Sequence, residues 1–189
     1  MARMSVPLRV ASQDLRANEE LAKKLAEGVS ADQANWHPAA NSWSIWQCLD
    51  HLSRINGVYS IALREALVRS ASGRSGKTEV LSPGALSAWF VRSLEPPVRT
   101  KMKTPRKGVP GQSGNLDEAL RGFLASRDAI RGIAESGEGA DLNRIRFRNP
   151  FIPLLRFTVG AGLLIINAHD RRHLWQMEQI KKAPGYPAS

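Results

Sequence analysis

The last long apolar stretch constrains this chain more than any other. From about residue 158 to residue 182 apolar positions recur at helical spacing, Gly162, Ile166, Met177 and Ile180 among them, and Pro184, Gly185 and Pro187 stop the run. Such spacing draws one apolar stripe along a helix and turns that stripe toward a core. His169 and His173 lie four residues apart inside it, so both imidazoles leave the same face about one turn apart. That is the spacing of two ligands to one metal ion. A third ligand has to come from elsewhere in the chain.

Three further segments carry the same signature. Leu8, Ala11, Leu15, Ala22 and Leu25 predict a helix over about 5–27, closed by Gly28. Ser42 or Ser44 can cap a second, which runs through Ile45, Cys48, Leu49, Leu52, Ile55, Tyr59, Leu63 and Leu67 to a Ser/Gly-rich break at 70–76. Asn115 or Ser113 leads into a third, from Leu116 to about Glu135, with Leu120, Phe123, Leu124, Ile130 and Ile133 on its apolar face. Four long helices predict an all-α fold, a four-helix bundle forming a single domain over 1–189.

The connections differ in kind. Residues 30–41 are turn-rich, with room for one short turn of helix. Residues 73–114 hold six glycines and five prolines around a short apolar piece at 86–91, and carry Arg92, Arg99, Lys101, Lys103, Arg106 and Lys107. This long basic loop, about 73–115, is expected to be solvated, with a clamp for an anion as the alternative. Residues 143–157 alternate Arg144, Arg146 and Arg148 with apolar partners and read as an extended connection. Both long connections are expected at one rim of the bundle, shaping access to the histidines.

His51 is the natural third ligand. It stands three after Cys48 and four before Ile55, at the border of the second helix's stripe, and its ring nitrogens should meet the pair to within about 4 Å if they share one ion. The plainer alternative is a core histidine bonded to a carbonyl. Cys48 reads as a small buried hydrophobe rather than a fourth ligand. His37, before Pro38, reads as a surface or packing residue. Arg127, at the edge of the third helix's apolar face, either lays its stem on that face with its head in water or meets an anion in a pocket.

Composition narrows the classes. The single cysteine excludes an intramolecular disulfide and suits a reducing, cytoplasmic setting. No signal peptide is evident, and Pro153 and Arg156 interrupt the most apolar window, 151–168, so no membrane partner is expected. The net charge of +10 is compatible with nucleic acid or an anionic surface, although no helix-turn-helix, zinc-finger or RNP signature accompanies it.

Trp36-His37-Pro38, then Trp43-Ser44-Ile45 followed by His51-Leu52, and finally His169-Asp170-Arg171-Arg172-His173 with Gln176 resemble the DinB-like family of four-helix bundles, also called DinB/YfiT-like metalloenzymes. The resemblance implies a divalent metal held by His51, His169 and His173. It departs at Gln47, four before the first histidine, a position often acidic in such proteins. Imidazole ligands suit zinc, nickel, iron or copper, with zinc or nickel foremost, and three neutral rings leave the ion an open position. Asp50, Asp170, Asn167 and Gln47 are candidates to steady the rings' other nitrogens. By resemblance the chain is a metal-dependent thiol transferase or hydrolase acting on a small-molecule substrate, in some relatives with a low-molecular-weight thiol. Arg127 and Arg172 are then candidate anchors for carboxylates, and no catalytic residue is assigned. The alternatives are a basic nucleic-acid-binding protein or a non-catalytic metal-binding bundle, and a homodimer is compatible with either.

Overall fold

The computed structural model describes residues 4–70, 76–98 and 103–188. In chain order they form β1 (Val6–Pro7), α1 (Leu8–Ala26), α2 (Ala31–Asn35), α3 (Ile45–Ser70), β2 (Val80–Leu81), α4 (Ala85–Leu94), α5 (Leu116–Glu135), β3 (Arg146–Arg148), β4 (Arg156–Thr158) and α6 (Val159–Lys181). The all-α class holds, with two small two-stranded sheets added. The four expected long helices are α1, α3, α5 and α6.

Their starts are set by side chains that occupy the otherwise unpaired first-turn amides. Ser44 Oγ accepts from Gln47 N while Gln47 Oε1 accepts from Ser44 N, both at 3.2 Å, a reciprocal capping box at the head of α3. Asn115 accepts from Glu118 N at 3.0 Å to open α5, and Thr158 from Ala161 N at 3.2 Å to open α6. The residue at Gly28 takes φ 68°, a conformation that costs glycine least, and turns the chain out of α1.

Contacts at both ends give the directions. Trp46 Nε1 donates to Asn115 O at 3.1 Å and Gly122 sits against Ser53, so α3 and α5 run parallel. Asn18 donates to Asn167 O at 3.3 Å and Lys181 to Leu25 O at 3.1 Å, so α1 and α6 are parallel too. His51 faces His169 while Leu63 faces Gly162, which makes α3 and α6 antiparallel. α1 packs on α5 and α6, and α3 packs on the same two helices.

The parallel α3–α5 pair explains the long excursion. A 26-residue helix is about 39 Å long, and the chain must travel back along it before α5 can start in the same direction. The excursion is not the solvated loop expected from its composition. Its apolar piece is α4, which packs on α6, and Arg106–Gly108 form a 3-10 turn against α3. Gly108, Gly111 and Gly114 lie so close to α3 that an added Cβ would stand 2.5 Å from Ile55, 2.8 Å from Trp46 and 2.5 Å from Trp46 respectively. Arg99 and Lys101 lie outside the described residues.

The extended connection forms an antiparallel hairpin with Phe147 opposite Phe157, both buried. It does not share the histidines' rim as expected. Phe147 packs by Leu63 and Gly162, and Asn149 donates to Tyr59 Oη at 2.9 Å; Tyr59 stands eight residues, about 12 Å, beyond His51 along α3.

The apolar interior falls into two clusters. One gathers Leu15, Tyr59, Leu63, Ile130, Phe147 and Leu164, the other Leu25, Leu49, Phe123, Leu174 and Met177. On α1, α5 and α6 the residues between them are polar: Asn18, Arg127, Asn167 and Asp170, joined from α3 by Asn56. The histidines stand beside this polar layer. Among the described residues no helix is long and apolar enough to cross a membrane.

Candidate metal centre

The antiparallel packing of α3 on α6 brings His51, His169 and His173 together. One ring nitrogen from each lies within 4.8 Å of the others, and the Nε2 atoms of His51 and His169 are 3.2 Å apart. His51 and His173 are buried and His169 is half-buried. Two of the rings have their orientation set from behind. His51 Nδ1 is 2.5 Å from the Gly108 carbonyl and His173 Nδ1 is 3.0 Å from Gln176 Oε1. Both oxygens only accept, so each Nδ1 carries the proton and each Nε2 presents a lone pair inward. His169 Nδ1 is buried with no hydrogen-bond partner.

Burial keeps the rings neutral. It lowers His51 to about 4, against a weaker opposing pull from the Gly108 bond and Asp50. His169 is pushed well below the ordinary histidine value by burial, then by His51 and by the charge of Arg172; His173 goes the same way through burial, His169 and His51. Neutral imidazole is the form that binds a metal.

The remaining candidates separate cleanly. Arg172 is almost fully buried and close enough for its charge to bear on both helix-six histidines, with Nη1 3.5 Å from Ser93 O. Arg127 is not at the cluster's disposal. It is fully buried and pairs with Asp170 while donating to Leu15 O at 3.0 Å and Asn167 Oδ1 at 3.3 Å, so its head reaches neither water nor a pocket, contrary to both sequence expectations. His37 is exposed, 2.8 Å from Ser42 O, and Cys48 is a fully buried thiol whose pKa burial pushes up.

The residues steadying the rings are not those expected. Asp50 accepts from Arg54 and from Gly111 N, Gln47 caps α3 and donates to Gly111 O at 2.9 Å, and Asp170 and Asn167 serve Arg127. Gln176, one turn after His173, was visible in the motif. Gly108 was not, because a backbone carbonyl 57 residues from His51 leaves no side-chain signal. Trp43 also stands at the site, its ring 5.4 Å from His173 and nearly parallel to it, and 4.7 Å from His51.

The donor set fits a divalent ion. Nitrogen ligands at about 2.0–2.1 Å from one ion stand roughly 3.4 Å apart in tetrahedral geometry. The His51–His169 pair is already close to that spacing, whereas a set spanning 4.8 Å must contract by roughly 1.4 Å to close on one ion.

The chain is 24% identical over 157 residues to the uncharacterized protein YuaE of Bacillus subtilis (strain 168), which takes in 82% of this chain and 88% of that protein. No solved structure matches. The family model of the DinB superfamily matches residues 14–177, a span holding the three histidines, Trp43 and Gln176. With more than four fifths of the sequence inside that model and its helices packed as a bundle, the chain belongs to the DinB superfamily.

Proposed function

We propose that His51, His169 and His173 hold one divalent ion, zinc or nickel, and that the chain is a metal-dependent enzyme activating a thiol or water for transfer to, or hydrolysis of, a small molecule. The observation that carries this is the convergence of three neutral imidazole nitrogens, two with their lone pairs aimed inward by fixed tautomers. An ion held there supplies Lewis-acid chemistry, lowering the pKa of a bound water or thiol toward neutrality. The chain's own groups do the rest. Gly108 and Gln176 hold two rings in the metal-ready tautomer, Trp43 covers one side of the cluster with apolar surface, and Arg172 holds an anionic end of the substrate, such as a carboxylate. Of the two chemistries, family resemblance favours transfer of a low-molecular-weight thiol, which a reducing cytoplasm keeps available.

Metal analysis of protein purified without a histidine tag tests the reading. We expect an equivalent of zinc or nickel, lost from His169→Ala and His173→Ala together with thiol-transfer or ester-hydrolysis turnover. Circular dichroism should change little, since the apolar stripes supply most of the burial. Full turnover by a variant shown to be metal-free would overturn the proposal. Collapse of helicity on metal loss would assign the ion a structural role instead.

A further inference from the structure

The β3–β4 hairpin has a face that the candidate metal centre leaves unused. Arg144, Arg146 and Arg148 are exposed and alternate with buried Ile145, Phe147 and Asn149, so the arginines share the outer side. Arg156 on β4 is exposed directly opposite Arg148, and Arg146 pairs across the ribbon with Thr158. Among the described residues, Arg146, Arg148 and Arg156 join no ion pair; Arg144 has Asp141 at 3.4 Å. Like charges directly opposite on neighbouring strands repel. An anionic partner removes that repulsion.

The hairpin's tip is apolar and built to be presented. Leu154 is 95% exposed and Ile152 40%. Asn149 Oδ1 accepts from Phe151 N and Ile152 N at 2.8 and 2.9 Å, Leu155 N donates to Ile152 O, and Asn149 Nδ2 ties the turn to Tyr59. The exposed leucine therefore stands on an ordered turn.

We propose that this arginine face and the Ile152–Leu154 tip dock the protein on an anionic phospholipid surface, the tip at the headgroup–acyl boundary and the guanidinium groups at the phosphates. A bilayer offers phosphate and apolar medium together. Duplex nucleic acid offers the phosphates, but an apolar side chain finds apolar contact there only by unstacking a base step at a cost of a few kcal/mol. A second copy of the same face brings arginine onto arginine. The sequence expectation of no membrane partner rested on spanning length, which surface docking does not need. Docking at this end leaves the histidines, about 12 Å farther along α3, clear of the lipid.

Co-sedimentation of the full chain with vesicles tests this. We expect binding to phosphatidylcholine vesicles containing about a third phosphatidylserine, weakening with added salt, and none to phosphatidylcholine alone. Arg148→Gln with Arg156→Gln should lower the partition constant roughly 30-fold, and Leu154→Ser about tenfold. Equal binding to both vesicle types, no binding to either, or retention of only a short DNA duplex would each overturn the proposal. The comparison of wild type across lipids and salt stands even if a variant misfolds.

Discussion

Arg127 has the largest fully buried side chain among the described residues, and it survives there because Asp170 answers its charge while Leu15 O and Asn167 Oδ1 accept from Nη2; its Nε is buried without a hydrogen bond, 4.0 Å from the Glu19 carboxylate. Burial pushes the Asp170 carboxyl up, and Arg127 and Asn56 hold it down. Removing one member of such a pair strands the other in the core. Arg127→Met should therefore cost about 3–5 kcal/mol, whereas Arg127→Met with Asp170→Leu should recover most of it. Urea unfolding of the single and double variants checks this; a single variant as stable as wild type contradicts the assigned role. The histidines were legible because ligand spacing and stripe position are local properties of a helix. The destination of Arg127 was not, because sequence places a guanidinium on a face but does not show that a facing helix supplies Asp170.

At the scale of elements, the excursion matters as much as the helices. The starts of α3, at Ser42 or Ser44, and of α5, at Asn115 or Ser113, were readable from capping chemistry to within two residues, and α6 followed from its periodicity. α4 was hidden inside a glycine- and proline-rich stretch, since ten residues of apolar pattern are too few to outweigh their surroundings. The same stretch delivers Gly108 to His51. A Cβ at that position would stand 2.5 Å from Ile55 Cδ1 and 3.3 Å from His51 Cε1. Gly108→Ala should push the 3-10 turn off α3, release the His51 Nδ1 proton from its acceptor and, on the proposed three-histidine site, weaken affinity for added zinc about 10- to 100-fold, as loss of a ring's outer partner does. Zinc titration against a competing chelator reads the change, with circular dichroism expected to stay level; unchanged affinity would remove the carbonyl from the site's machinery.

For the whole molecule, the three depressed histidines tie stability to pH. Their folded pKa values lie below the ordinary 6.5, His51 at about 4, so the unfolded chain binds more protons between those values. Stability is then fully present above about pH 6.5 and declines as pH falls toward 4, by up to about 1.4 kcal/mol per pH unit for each histidine. Denaturation at pH 7 and pH 5 in the presence of a chelator should show the loss, with a shallower slope in His51→Gln; a metal-free protein more stable at pH 5 contradicts it. The pairing of α3 with α6 also has a consequence in time. His51 and His169 are 118 residues apart, so at synthesis rates of roughly 5–20 residues per second the first histidine waits about 6–24 s on the ribosome before its partners exist. Throughout that interval the apolar flank of α3 has no α6 to cover it, and the nascent chain depends on α5, once that helix is made, and on chaperones to keep that surface from foreign contacts.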